Sequence, residues 1–154
     1  MPALPHLDAE TIAAVATWPL VIEALREGHR GPRAQLADSF VHRGEDTLLT
    51  RSAWIEGLAA GTKTATIISS NGARGLPNVQ ALMTLFDPET GEPRATVDAT
   101  PLTAWKTAAD SALGCDLLAQ AEPTTLLMIG AGAMAAPLIA AHRTVRPTLK
   151  RVLI

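Results

Sequence analysis

The 154-residue sequence predicts an α/β protein. An α+β N-terminal part carrying a mixed sheet is expected first, then the opening βαβ unit of a Rossmann fold, truncated. Two observations predict this. A central block, residues 39–98, holds short strand-like segments separated by turn residues and is flanked by helical patterns. Further on, an apolar strand runs into a glycine turn and an alanine-rich helix. Length alone is a prior of one domain. The change of pattern divides the chain into residues 1–120 and residues 121–154, the second being the start of a nucleotide-binding domain.

The elements follow in order. Asp8 is a candidate N-cap for a short helix through Ala16. Pro19 suits the first turn of a second helix, with Leu20, Val21, Ala24 and Leu25 on its apolar face and Gly31-Pro32 ending it. Trp18, preceding a proline, is expected to be extended. Segments 39–42, 47–54, 63–69, 79–86 and 94–98 read as strands of a mostly antiparallel sheet, Thr64-Ala-Thr-Ile-Ile68 being rich in β-branched residues. Residues 87–93 have the proline, glycine and acid content of a hairpin loop. Asn71-Gly72 and Gly75 to Pro77 mark a long exposed loop. Thr103 is expected to cap a helix running to Gln120, with Leu113, Leu117 and Leu118 buried. A strand at 125–129, a helix at 133–142 and a last strand from Lys150 complete the chain.

Composition excludes several functions. Apolar residues make up 47% and charged residues 18%, so the chain can bury enough surface to offset its ordering entropy. Thirteen basic against fifteen acidic residues give a net charge of -2, which is no footprint for nucleic acid. A lone cysteine, Cys115, excludes an internal disulfide framework and is expected to be a small buried hydrophobe. His6, His29, His42 and His142 lack metal-ligand spacing, so no metal site is expected. Asp98 closes a strand, as a turn cap or a ligand-binding acid. No glycine elbow surrounds Ser69, Ser70 or Ser111, so a serine hydrolase is unsupported. The N-terminus lacks the pattern of a secretory signal, and Gly130, Gly132 and Pro137 interrupt the longest uncharged stretch. A soluble cytoplasmic protein with no membrane span is expected.

The sharpest signal is Leu126-Leu-Met-Ile-Gly130-Ala-Gly132-Ala-Met-Ala135, an apolar strand followed by Gly-x-Gly-x-x-Ala. Gly130 allows the tight turn, Gly132 lets a pyrophosphate approach the backbone, and Ala135 lets helix and strand pack closely. The helix N-terminus offers N–H groups and partial positive charge to the anion. Gly130, Gly132, Ala133 and Met134 are therefore the candidate cofactor-binding residues, for NAD or NADP. The acid that such a turn pairs with, about 20 residues on, falls at or beyond Ile154.

The second signal is Lys106. On the expected helix it falls in the first turn, where the helix dipole disfavours a cation unless an anion is shared with Thr107 and the backbone. Lys63 opens an otherwise apolar strand and is the other candidate cation.

Three blocks together resemble the ornithine cyclodeaminase/μ-crystallin family: Gly61-Thr-Lys63 with Asn71 and Gly75-Leu-Pro77; residues 82–86 with the turn 87–91, Asp98 and residues 102–112; and Ile129-Gly-Ala-Gly-Ala-Met-Ala135. The resemblance runs from about residue 8 to the end. It implies a dimer-forming substrate domain and a Rossmann domain, in a homodimeric enzyme of amino-acid metabolism. Such enzymes pass hydride between NAD(P) and the α-carbon of an amino or imino acid, by deaminating cyclisation or imine reduction. It implies that Lys63 is catalytic and contacts substrate, that Lys106 stands where a carboxylate-binding arginine is usual, and that Thr107 lies beside the cofactor. A further family arginine matches Arg43 or Arg51 imperfectly. The family's catalytic aspartate lies beyond this sequence, so the 154 residues by themselves are expected to be inactive. A non-enzymatic small-molecule-binding or dimerisation module, or a partner chain supplying the missing strands, are the other readings.

Overall fold

The computed structural model describes residues 3–154, which pack as two compact units. The first unit comprises the chain up to Ile12 and Pro32–Pro101. Its frame is a six-stranded sheet of β1 (His6–Leu7), β2 (Gln35–Arg43), β3 (Asp46–Ile55), β4 (Ala59–Ile67), β5 (Val79–Phe86) and β6 (Pro93–Asp98), in the order β1-β6-β5-β4-β3-β2. β1 runs parallel to β6 and every other pair is antiparallel, so the sheet is mixed. Two residues are too few for a periodic signal, which is why β1 is invisible in the sequence.

Turn chemistry sets the register. Gly44, at φ 58°, opens the two-residue turn that pairs Arg43 with Asp46, and the pairing then runs unbroken to Gln35 opposite Trp54. In the β5–β6 loop, Asp87 accepts bonds from the Glu89 and Thr90 amides and holds Arg94 at 2.6 Å. These bonds keep the Asp87 carboxyl far below the usual carboxylate range. Gly61 is required where β4 approaches β5, because a Cβ there would lie 2.9 Å from the Thr84 carbonyl oxygen.

The second unit comprises Ala13–Gly31 and Leu102–Ile154. It contains α2 (Trp18–Arg30), most of α3 (Ala99–Leu118), α4 (Ala135–Val145) and a parallel pair, β7 (Thr125–Leu127) with β8 (Arg151–Leu153). The core joins Ile22 of α2, Ala108, Ala109, Ala112 and Leu113 of α3, and Ala141 of α4. Burying Ile22 and Leu113 stabilises this core by about 1.5–3 kcal/mol each.

Six sequence expectations are corrected. Trp18 is helical: Thr17 is the N-cap at φ −130°, ψ 153°, and the Trp18 ring packs on Trp105 at 4.1 Å, which outweighs the bias against helix before proline. On α2, Leu20 and Ala24 are exposed, and Trp18, Val21, Ile22 and Leu25 make the inward stripe. Helix α3 begins at Ala99, four residues before Thr103, with the Asp98 carboxylate accepting from the Thr100 amide at 3.1 Å. Pro101 is tolerated because first-turn amides have no helical acceptor.

Leu117 and Leu118 are exposed, since helical spacing from Ala109, Ala112 and Leu113 reaches Asp116 instead. The loop after β4 is tighter than expected. A 3₁₀ helix, Ser69–Arg74, buries Asn71, whose side-chain amide donates to the Pro77 carbonyl at 2.9 Å. Cys115, in α3, is half-buried.

Candidate functional site

In the first unit, the antiparallel register fixes which cations share a sheet face. Asp38 of β2 is opposite Arg51 of β3, Arg51 is opposite Lys63 of β4, and Lys63 is opposite Met83 of β5. Residues directly opposite in a sheet point their side chains to the same side. Lys63 and Arg51 are therefore direct cross-strand neighbours, a like-charge pairing that costs stability.

Arg51 donates from Nε to Asp38 Oδ1 at 2.7 Å and from Nη2 to Asp38 Oδ2 at 2.5 Å. The guanidinium holds the Asp38 carboxyl below its ordinary range, and Asp38 raises Arg51 in return. Strand alternation puts Arg43 on the opposite face from Arg51. There it pairs with Asp46 at 3.0 Å, and Asp46 also accepts from the Ser69 amide. The structure thus brings Arg51 to Lys63 and takes Arg43 away.

In the second unit, Lys106 is the eighth residue of α3 rather than a first-turn residue. At that depth in the helix the dipole gives Lys106 no reason to share an anion. Lys106 Nζ donates to Asp110 Oδ2 at 2.8 Å, an exposed i,i+4 pair, and His29 Nε2 lies 3.9 Å from the other Asp110 oxygen. Thr107 follows on the exposed side of the helix.

The glycine turn has the geometry its sequence requires. After β7, Gly130 takes φ 98°, the Ala135 amide donates to the Gly132 carbonyl at 2.9 Å, and α4 starts at Ala135 without a side-chain cap. Residues 130–133 are exposed, and a Cβ built on Gly132 meets no atom within 4 Å. An uncapped helix end beside open space fits a pyrophosphate. Met134 packs its side chain against the core and anchors the turn from beneath.

Two features carry no sequence signal. Asp38 becomes visible only once the turn at Gly44 fixes the hairpin register. Arg146, 7% exposed, bonds Asp116 at 2.6 Å and the carbonyls of Cys115, Asp116, Gln120 and Val145. Asp116 also holds Arg26 of α2 at 2.6 Å. Both arginines keep the Asp116 carboxyl below its usual value, Arg146 most strongly. Among the described residues, no three His, Cys, Asp or Glu side chains gather to hold a metal, and no helix is long and apolar enough to cross a membrane.

The family model for the ornithine cyclodeaminase/mu-crystallin family matches residues 8–154. The chain belongs to the ornithine cyclodeaminase/mu-crystallin family. A Delta(1)-pyrroline-2-carboxylate reductase from Paracoccus denitrificans is 48% identical over 136 residues, covering 88% of this chain and 43% of the relative. Among solved structures, an archaeal alanine dehydrogenase dimer with bound NAD superposes with a TM-score of 0.87 at 28% identity. The Thermococcus litoralis Delta(1)-pyrroline-2-carboxylate reductase, in complex with NADH and L-proline, gives 0.86 at 25%. Each covers 97% of this chain, which spans 47% and 48% of their respective lengths. This family member therefore spans less than half the length of these relatives.

Proposed function

We propose that this protein takes part in the NAD(P)H-dependent reduction of a cyclic imino acid of the Δ1-pyrroline-2-carboxylate type. The observation that carries the reading is the pair of cations, Lys63 and Arg51, facing one side of the sheet from directly opposite positions. Two adjacent cations match a substrate that carries a carboxylate next to its reacting carbon. The relationship to reductases of such imines supports the same substrate class.

The nicotinamide, when bound, supplies hydride to the imine carbon. Gly130, Gly132, Ala133 and the Met134 backbone hold the pyrophosphate through amide groups and the partial positive charge at the start of α4. Thr107 lies beside the cofactor. Arg51 binds the carboxylate, and the Lys63 ammonium opposite it favours electron density arriving on the imine nitrogen. Lys106 is a separate candidate for carboxylate binding. Arg43, on the other face, takes no part. Residues 1–120 supply substrate binding, and residues 121–154 begin the nucleotide domain.

The protein acts in the cytoplasm as a homodimer. Edge strand β2 supports this assembly: all nine residues are exposed, and Leu36, Phe40 and Val41 present apolar surface that an isolated edge would not keep. Beside it, Leu36, Ala53, Trp54 and Phe86 line a groove of about 450 Å³.

The test follows reduced nicotinamide absorbance on adding Δ1-pyrroline-2-carboxylate or its six-membered homologue, with L-proline and oxidised cofactor for the reverse direction. Substrate-dependent oxidation of NADH or NADPH is expected. Tight binding of the imino acid with no hydride transfer would instead favour a binding module.

A further inference from the structure

Arg51 is 56% exposed, and a long exposed side chain samples many rotamers. Its guanidinium carries five N–H groups in a rigid planar fork. The two bonds to Asp38 are made side-on, from Nε and Nη2, and leave the end-on edge formed by Nη1 and the outer N–H of Nη2. That edge can accept a second carboxylate in the same bidentate manner. The Asp38 side chain is only 29% exposed and sits in the register row that continues through Arg51 to Lys63.

We infer that Asp38 is a positioning residue: it clamps Arg51 side-on, so that the end-on edge of the guanidinium, beside Lys63, is preset to receive the imino-acid carboxylate. The inference rests on the proposed function for the identity of that carboxylate. Without the clamp, Arg51 must give up its rotamer freedom on binding, and the Asp38 carboxylate no longer offsets the charge of Arg51 beside Lys63. Both effects weaken carboxylate binding. Neither touches the cofactor turn, which lies on other elements of the chain. A purely superficial ion pair would contribute almost nothing in either respect.

The experiment compares wild type, Asp38→Asn, Asp38→Glu, Arg51→Ala and the Asp38→Asn/Arg51→Ala double variant in the full-length protein. It measures imine reduction and, separately, calorimetric binding of pyrrole-2-carboxylate and of its neutral carboxamide. Asp38→Asn is expected to raise the imine KM and the pyrrole-2-carboxylate Kd about tenfold, as loss of one charge-assisted contact does, with a smaller change in kcat. Asp38→Glu is expected to recover part of the loss. The carboxamide and the cofactor KM are expected not to respond.

In the Arg51→Ala background, Asp38→Asn is expected to add nothing, because its whole effect passes through Arg51. An unchanged KM and Kd in Asp38→Asn, or an equal further loss in the double variant, overturns the inference. Turnover by wild type with unresponsive Asp38 variants rejects the clamp alone. Carboxylate binding that depends on Asp38 with no turnover rejects the reductase reading alone. No carboxylate binding by wild type rejects both.

Discussion

Replacing Arg146 by methionine keeps much of the aliphatic volume of the side chain and removes its guanidinium. In the native protein that group is almost fully buried and makes a 2.6 Å bond to Asp116 together with bonds to four carbonyl oxygens. A hydrogen bond between charged partners contributes roughly 1.5–3 kcal/mol, and a neutral-acceptor bond roughly 0.5–1.5. Asp116 keeps Arg26, and bonds that share one guanidinium are not independent, so the contributions do not add in full. A net loss of about 3 kcal/mol is expected for the second unit. At roughly 2–4 °C per kcal/mol for a protein of this size, its thermal midpoint falls by about 6–12 °C. Circular dichroism and urea titration at neutral pH measure it, with Arg26→Met, whose side chain is more exposed, as the milder comparison.

The same site fixes a pH signature. Asp116 is held below its unfolded value, so its ion pairs stabilise the fold fully above about pH 4, the ordinary aspartate range. That contribution disappears as pH falls through the lower, folded value. The wild type should therefore lose stability on acidification more steeply than Arg146→Met, and the two curves should converge. A loss below about 1 kcal/mol at neutral pH, or parallel pH curves, would refute the claim that Arg146 is a buried clamp rather than a replaceable surface charge.

Gly61→Ala sets a Cβ 2.9 Å from a backbone oxygen of β5, and an overpacking cost of about 1–3 kcal/mol is expected, read by denaturation and by faster amide exchange along β4 and β5. Gly132→Ala meets no protein atom, so its melting temperature should match wild type while the KM for NADH or NADPH rises about tenfold or more; an unchanged KM would mean that no pyrophosphate approaches there. Lys106→Ala breaks only an exposed pair with Asp110 and should leave the melting temperature unchanged. A raised imine KM in that variant, with an unchanged cofactor KM, would support a carboxylate role for Lys106, whereas unchanged kinetics would remove it from the site.

What was legible in the sequence depended on local chemistry. The strand–glycine–helix signature was readable because Gly130 and Gly132 act through their own backbone geometry. The antiparallel block was readable from β-branched runs and the acid-proline-glycine loop at 87–93. The start of α3 is not legible because Thr103 has the character of a cap, whereas the side chain that bonds the first turn is Asp98, at the end of a strand. The four-residue difference carries Lys106 out of the first turn, where the dipole would act on it. Leu117 and Leu118 are exposed for a related reason: the position that continues the buried stripe is Asp116, acceptable there because Arg146 and Arg26 converge on it. No local rule brings together residues thirty and ninety positions apart.

The choice between Arg43 and Arg51 belongs to the same class of problem, and it turns on one short hairpin. Both arginines precede Lys63, and only register separates them. Because Gly44 and Glu45 form the turn, Arg43 pairs with Asp46 and Asp38 with Arg51. The pairing of Arg51 with Lys63 is set independently, by the β3–β4 hairpin. Inserting one residue in the first turn would therefore slip β2 alone and send its side chains to the other face. Arg51 would stay opposite Lys63 but lose Asp38, at the unchanged sequence of both strands. Such a variant should reproduce the imine KM of Asp38→Asn while retaining the carboxylate chemistry of the two cations. An insertion that instead abolished carboxylate binding altogether would show that β2 supplies more to the site than the clamp on Arg51.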